Sequence, residues 1–347
     1  MKTNYLKIAI SVASVALIAI YTYFLYLYGG ESLEWQDYII QAILVCGGSA
    51  LLALSYKFLK PKNRTFWYCL NAVVLILMIY AISTLTGKTI SFNIQMLMLA
   101  IFPILCYWLV KKLFQYNINE NILMFVYNIV VVVFIWLMQE VIIKKSYFAA
   151  DVVAEIYMYA IAEIALLTYI IKHKSFKFNT RSIVSFALTN IVVLFVFLRQ
   201  ERVVEIIHSL NYNLSDVGIE GDLKNWLALR GGMLKSSICG DFTVVNPHYM
   251  QSLVRGCSLA WLSGVGGWYV GVSIVLLEIA FVASMLIYSK RTQNALVLII
   301  SLSFVLKLVI GVLANMFLVF STNIGLPFIG IAIDAIAIFV VIMLKNE

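Results

Sequence analysis

Charge is what this sequence has least of. Only 12% of its 347 residues are Asp, Glu, Lys or Arg, about half the share of a soluble globular domain. A water-facing surface cannot be built from so few charges, and 63% of the chain is hydrophobic. Soluble enzymes and disordered chains are excluded together. Cysteine is scarce, with 5 in the chain, too thin a set for a secreted disulfide scaffold. The 4 prolines and 18 glycines are too few for a fibrous or low-complexity protein. No G-x-x-x-x-G-K, G-x-G-x-x-G or H-E-x-x-H pattern occurs. A phosphate loop, a dinucleotide fingerprint and a zinc-protease helix are therefore not legible.

What is present is long apolar sequence. Mean hydropathy is +0.96, and the apolar runs are unbroken, not alternating. Open sheet edges do not survive in hydrocarbon, so the spans are helices and not barrel strands. The fold class expected is an all-α integral membrane protein, one polytopic domain over 1–347. At roughly 20 residues per span, about ten spans can be marked: 8–28, 38–56, 66–86, 92–113, 121–143, 148–171, 182–199, 266–289, 295–320 and 324–344. One long connection, 200–265, lies between the seventh and eighth of these. A loop of that length is usually functional.

Basic residues flank every second gap. Lys2 and Lys7, then Lys57, Lys60, Lys62 and Arg64, then Lys111 and Lys112 fall on one side. Lys172, Lys174, Lys177 and Arg181, then Lys290 and Arg291, then Lys345 follow. Cytoplasmic loops carry such an excess, so both termini are expected inside and the 200–265 loop outside. Lys88, Lys144 and Lys145 run against the pattern. The net charge of +8 is thus a statement about orientation, and no basic domain stands clear for nucleic acid.

Within the spans, Glu278, Lys307 and Asp334 each lie about midway through a run of roughly 20 residues. A charge at that depth is costly and usually faces a partner. An intramembrane Glu–Lys–Asp cluster is expected, serving either as a staple between helices or as a proton or ion path. The latter use suggests a transporter or flippase, though no pair of interrupted helices is legible in the apolar runs. Gly264, Gly266, Gly267 and Gly271 open the eighth span and permit close helix packing. Cys46, Cys69 and Cys106 fall inside spans as small hydrophobes. Cys239 and Cys257 lie in the outer loop, where a disulfide would persist. None of them has metal-binding spacing or a companion histidine cluster, so no metal site is expected.

Several segments resemble the RodA/FtsW/SpoVE family of shape, elongation, division and sporulation proteins. Trp35-Gln36-Asp37-Tyr38 opens the second span and Phe92-Asn93-Ile94-Gln95 the fourth. Leu137-Met138-Gln139-Glu140 lies in the fifth, and Arg199-Gln200-Glu201-Arg202-Val203 follows the seventh. Trp226-Leu227-Ala228-Leu229-Arg230-Gly231-Gly232 lies in the large loop. Ala314-Asn315-Met316 ends the ninth span, and Gly325-Leu326-Pro327-Phe328-Ile329 opens the tenth. These are similar, in order, to family motifs across nearly the whole chain. The sequence departs from the family in the proline and acid pattern of the fourth and fifth spans and after Phe328.

The resemblance implies a bacterial plasma-membrane protein of peptidoglycan synthesis, and with it a glycosyltransferase that polymerises lipid-linked disaccharide on the outer face, partnered by a single-span transpeptidase. That chemistry needs a general base for the acceptor hydroxyl and cationic help for departing pyrophosphate. The family's loop aspartate falls on Ser252, in the run Asn246-Pro247-His248-Tyr249-Met250-Gln251-Ser252. Serine is no carboxylate base, so polymerisation by this chain is in doubt and Asp241 is the nearest substitute acid. His248 is a weaker candidate. Arg199, Arg202, Arg230 and Arg255 could grip pyrophosphate, since guanidinium binds phosphate with two donors at once. Gln139, Glu140, Asp151 and Glu155 would line a polar groove near the outer ends of the fifth and sixth spans. No organic cofactor is implied; a divalent cation is compatible with the pyrophosphate but is not derivable from these residues.

Overall fold

The structure, a computed structural model, describes residues 3–28, 90–115, 120–137, 152–173, 184, 186–192, 258–316, 324–329 and 334–343. Among the described residues every regular element is helical and none is a strand. The helices are α1 (Thr3–Tyr28), α2 (Ile90–Leu113), α3 (Glu120–Leu137), α4 (Val152–His173), α5 (Ser258–Gly266), α6 (Trp268–Thr292), α7 (Ala295–Met316) and α8 (Ala335–Met343). Four stretches of described helix, Asn4–Leu27, Val153–Lys172, Trp268–Thr292 and Ala295–Leu313, are long and apolar enough to cross a membrane.

Helix is not what every local sequence prefers. α3 carries Val130, Val131, Val132 and Val133 in succession, a β-branched run that favours strand in a soluble protein. In hydrocarbon the backbone must satisfy its own hydrogen bonds, and the helix does so within the segment. The surfaces also read as lipid-facing. Tyr5, Ile8, Val12 and Val15 of α1 are exposed, while Ile10, Leu17 and Tyr21 are buried. On α3 the exposed set is Ile122, Phe125, Ile129, Val133 and Trp136. Apolar stripes at helical spacing and left open are what a bilayer would cover.

The chain gathers into two compact units. The first comprises 1–47, 204–291 and 304–338, the second 48–203, 292–303 and 339–347. In the first, α1 packs on α5. Tyr21 meets Trp261 edge-on, with centroids 6.5 Å apart. A Cβ added at Gly266 would come within 2.7 Å of Phe24, so this glycine permits the close approach. In the second, α2 and α3 both pack on α4. Phe102 stacks on Phe134 at 5.9 Å, and Phe114 meets Tyr169 at 5.4 Å.

Three boundaries differ from the sequence reading. Helix begins at Ser258, inside the stretch 200–265 assigned to the outer loop. The eighth span, expected from 266, runs unbroken as helix from Trp268 and is separated from α5 by Gly267, whose φ of 93° only glycine adopts readily. Residues 324–329, expected to be the first turns of the tenth span, are not helical but are fully buried. Pro327 lacks an amide proton for a helix ladder, and Phe328 takes a left-handed φ of 63°. The described α-helix beyond it runs over Ala335–Met343, with Asp334 in a helical turn just before it. Non-helical backbone therefore stands at two places where helix was expected, Gly267 and 324–329. Irregular backbone at membrane depth is tolerated only where protein or a cavity surrounds it, and the burial of 324–329 meets that condition. At the other turn, Asn294 caps α7: its Oδ1 accepts from the Leu296 and Val297 amides at 2.9 and 3.4 Å.

Candidate functional site

The first unit brings the three midspan charges together. Glu278 and Phe281 stand one turn apart on α6, and Phe304 and Lys307 one turn apart on α7. Asp334 immediately precedes α8, at a helix N-terminus that favours a carboxylate. Lys307 Nζ donates to Asp334 Oδ1, forming a buried ion pair with the two side chains 6% and 1% exposed. Glu278 is fully buried and lies within electrostatic reach of both partners. Neither of its carboxyl oxygens has a hydrogen-bond partner, and Asp334 Oδ2 has none either.

An aromatic cage sits over this trio. Phe281 meets Phe304 at 5.4 Å and Phe328 at 5.3 Å, both edge-on, and Phe304 stacks on Phe328 at 6.2 Å. The Lys307 ammonium lies 5.9 Å from the Phe304 centroid, close enough for a cation–π contribution. All three charges are buried, so they act through a low dielectric, and an unmatched charge there is costly. Nearby, Asn315 Oδ1 accepts from the Leu259 amide at 3.0 Å, and Asn315 Nδ2 donates to the Gly311 carbonyl at 2.6 Å. A Cβ at Gly311 would meet Leu326 at 3.0 Å, so α7 and the irregular segment touch closely here.

The second unit holds a polar cluster that the sequence reading did not assemble. Tyr127 of α3 donates to the Ala162 carbonyl of α4 at 2.9 Å. That bond aligns the two helices next to Asn128 and Glu163. Asn128 and Tyr159 are the polar side chains beside the Glu163 carboxyl. Tyr159 donates to Asn190 Oδ1 at 2.9 Å, and Asn190 Nδ2 donates to the Phe186 carbonyl at 2.9 Å. Tyr159 and Asn128 interact with the Glu163 carboxyl through their polar ends, although none of these contacts is a well-formed hydrogen bond. Cys106 is a buried free thiol beside the Tyr127 hydroxyl. The signals for this cluster were an amide in the apolar run 121–137 and a carboxyl near the middle of a span.

Of the groove residues, Glu155 is described. It is buried on the first turn of α4, so it is not a solvated helix end. Gln139, Glu140 and Asp151 lie outside the described residues, as do Asp241, Arg199, Arg202, Arg230 and Arg255. Ser252, His248, Cys239 and Cys257 do too. Among the described residues no cluster of His, Cys, Asp and Glu could hold a metal with three such ligands.

No family model matches the chain, and no curated protein or solved structure is similar to it.

Proposed function

We propose that this is a divergent RodA/FtsW-like protein of about ten spans in a bacterial plasma membrane, both termini cytoplasmic. It binds lipid-linked disaccharide, a single-span transpeptidase, or both. Polymerisation by this chain is weak or absent, because Ser252 stands where the resemblance calls for a carboxylate. The observation that supports the reading is the placement of two family-like segments. Asn315 ties α7 to the first turn of the helix after the large loop, through the Leu259 amide. Gly325-Leu326-Pro327-Phe328-Ile329 forms a buried, non-helical entry against Gly311 of that same helix. Residue types that look like motif letters thus hold specific backbone positions.

The experiment is glycan polymerisation from lipid-linked disaccharide by the purified chain, with precursor binding measured in parallel. Binding without product is the expected result. Robust product, abolished by Asp241→Ala, would show a relocated base and refute the weak-activity reading. Absence of both binding and product would remove the family reading. Orientation is checked separately: cysteines placed at Lys62 and Lys177 are expected to be reached only from the cytoplasmic side.

A second reading, a transporter or flippase, is favoured by one observation. A buried non-helical segment with a left-handed Phe328 adjoins a buried Lys307–Asp334 pair. Broken helices beside midplane charges are the usual build of a secondary transporter's site.

A further inference from the structure

We propose that Glu278 is a proton-binding site: at neutral pH its carboxyl holds the proton that leaves the Glu278–Lys307–Asp334 trio without net charge, and it gives that proton up when Lys307 is released from Asp334. The inference rests on neither functional reading, because its readout is the protonation of one carboxyl and not glycan or solute chemistry.

A count of charges carries it. The trio has two carboxyls and one ammonium, all buried. With both carboxyls ionised it would hold a net negative charge about midway along α6, where an unmatched charge is costly. Among the described residues, the charged side chains that act on Glu278 are Lys307 and Asp334, so no second cation cancels the excess. One proton does. Two carboxyls that share a buried site in this way take up one proton between them.

The contacts say which carboxyl holds it. Asp334 bears the ion pair, its Oδ1 accepting from Lys307, and it stands at the N-terminus of α8. Both features favour a carboxylate. Glu278 has neither. It is fully buried, and both its oxygens are without a hydrogen-bond partner. Among the described residues no hydrogen-bonding side chain acts on it. A bare carboxylate is far more costly to bury than a carboxylic acid. The acid also has a use for its proton. Its O–H is a donor, and Asp334 Oδ2 is a buried acceptor of the same trio that has no partner.

The test is infrared spectroscopy of the purified full-length chain in a maltoside detergent, which has no ester carbonyl to obscure the band of a protonated carboxyl. The wild-type minus Glu278→Gln difference spectrum at neutral pH is expected to contain a protonated-carboxyl band that moves to lower frequency in heavy water, and no carboxylate band. A carboxylate band in its place overturns the proposal, because Glu278 is then ionised and the trio charged. Asp334→Asn tests the coupling, read against the double variant that also carries Glu278→Gln. It leaves Lys307 with Glu278 alone, so the proton goes to solvent and the protonated band disappears although Glu278 is still present. A band that persists in Asp334→Asn overturns the coupling, since burial alone then holds the proton. Should Asp334→Asn not fold, Lys307→Met decides. Without the ammonium, neutrality calls for a proton on each carboxyl, and a second protonated band appears. A spectrum unchanged by Lys307→Met overturns the charge count.

Discussion

At Glu278 a buried carboxyl has an ammonium close by; at Glu163 a buried carboxyl has only oxygens and an amide. Both sit in apolar helices, but the Glu278 carboxyl has no hydrogen-bond partner, whereas Tyr159 and Asn128 turn polar ends toward that of Glu163. The difference lies in what balances the charge. The trio of the first unit carries its own cation in Lys307, already bonded to Asp334 and sealed by three phenylalanine rings. The α3–α4 cluster has two phenols, an amide and a thiol near its carboxyl, none of them cationic. A closed ion pair behaves as a staple. The second cluster meets its carboxyl with neutral polar groups alone.

The comparison is broken most severely at Lys307. Lys307→Ala leaves Asp334 and Glu278 as two carboxyls with no cation, and loss of one partner of a buried pair costs about 3–5 kcal/mol. The paired replacement Lys307→Met with Asp334→Leu removes both charges and is expected to recover most of that loss. Thermal unfolding in detergent distinguishes the two; equal damage from both would mean the pair has a role beyond mutual neutralisation. Asn315→Ala strands the Leu259 amide and frees the Gly311 carbonyl, with an expected loss of about 1–3 kcal/mol. In the second unit the matching neutral tie is Tyr127→Phe, which deletes the bond to Ala162. Its cost is about 0.5–1.5 kcal/mol, read as a fall in Tm. The smallest effect is expected for Glu278→Gln. Lys307 already has Asp334, so stability should shift by less than about 1 kcal/mol, the scale of a single exchanged hydrogen bond. A loss as large as that of Lys307→Ala would show that Glu278, not Asp334, is the working partner.

Hydropathy made the membrane class legible, because a run of about 20 apolar residues has few other uses. It also flagged Glu278, Lys307 and Asp334, since a charge in such a run stands out against its neighbours. It could not show which carboxyl the lysine chooses. That choice depends on where the backbone places Asp334 relative to α7, which hydropathy does not encode. α5 was absorbed into the loop for a related reason: Ser258, Ser263 and Gly264 dilute its apolar signal, and it is 9 residues long. The interruption at Gly267 depends on a backbone angle, which composition does not encode. The α3–α4 cluster was missed because Asn128 is uncharged and draws little notice among valines. Its partner Glu163 sits 35 residues further along, a pairing that only the Tyr127–Ala162 contact, of that same separation, reveals.

The order of synthesis gives the unbonded Glu278 a meaning of its own. A chain leaves the ribosome at about 5–20 residues per second. Lys307 and Asp334 are 27 residues apart, so the lysine exists for about one to five seconds at that pace before its final partner has been made. Of the three groups, Glu278 alone precedes it. In that interval it is the one carboxyl of the trio available to a lysine entering the lipid. The finished pair is thus a second partnership, and a chain truncated before Asp334 would be held at the first.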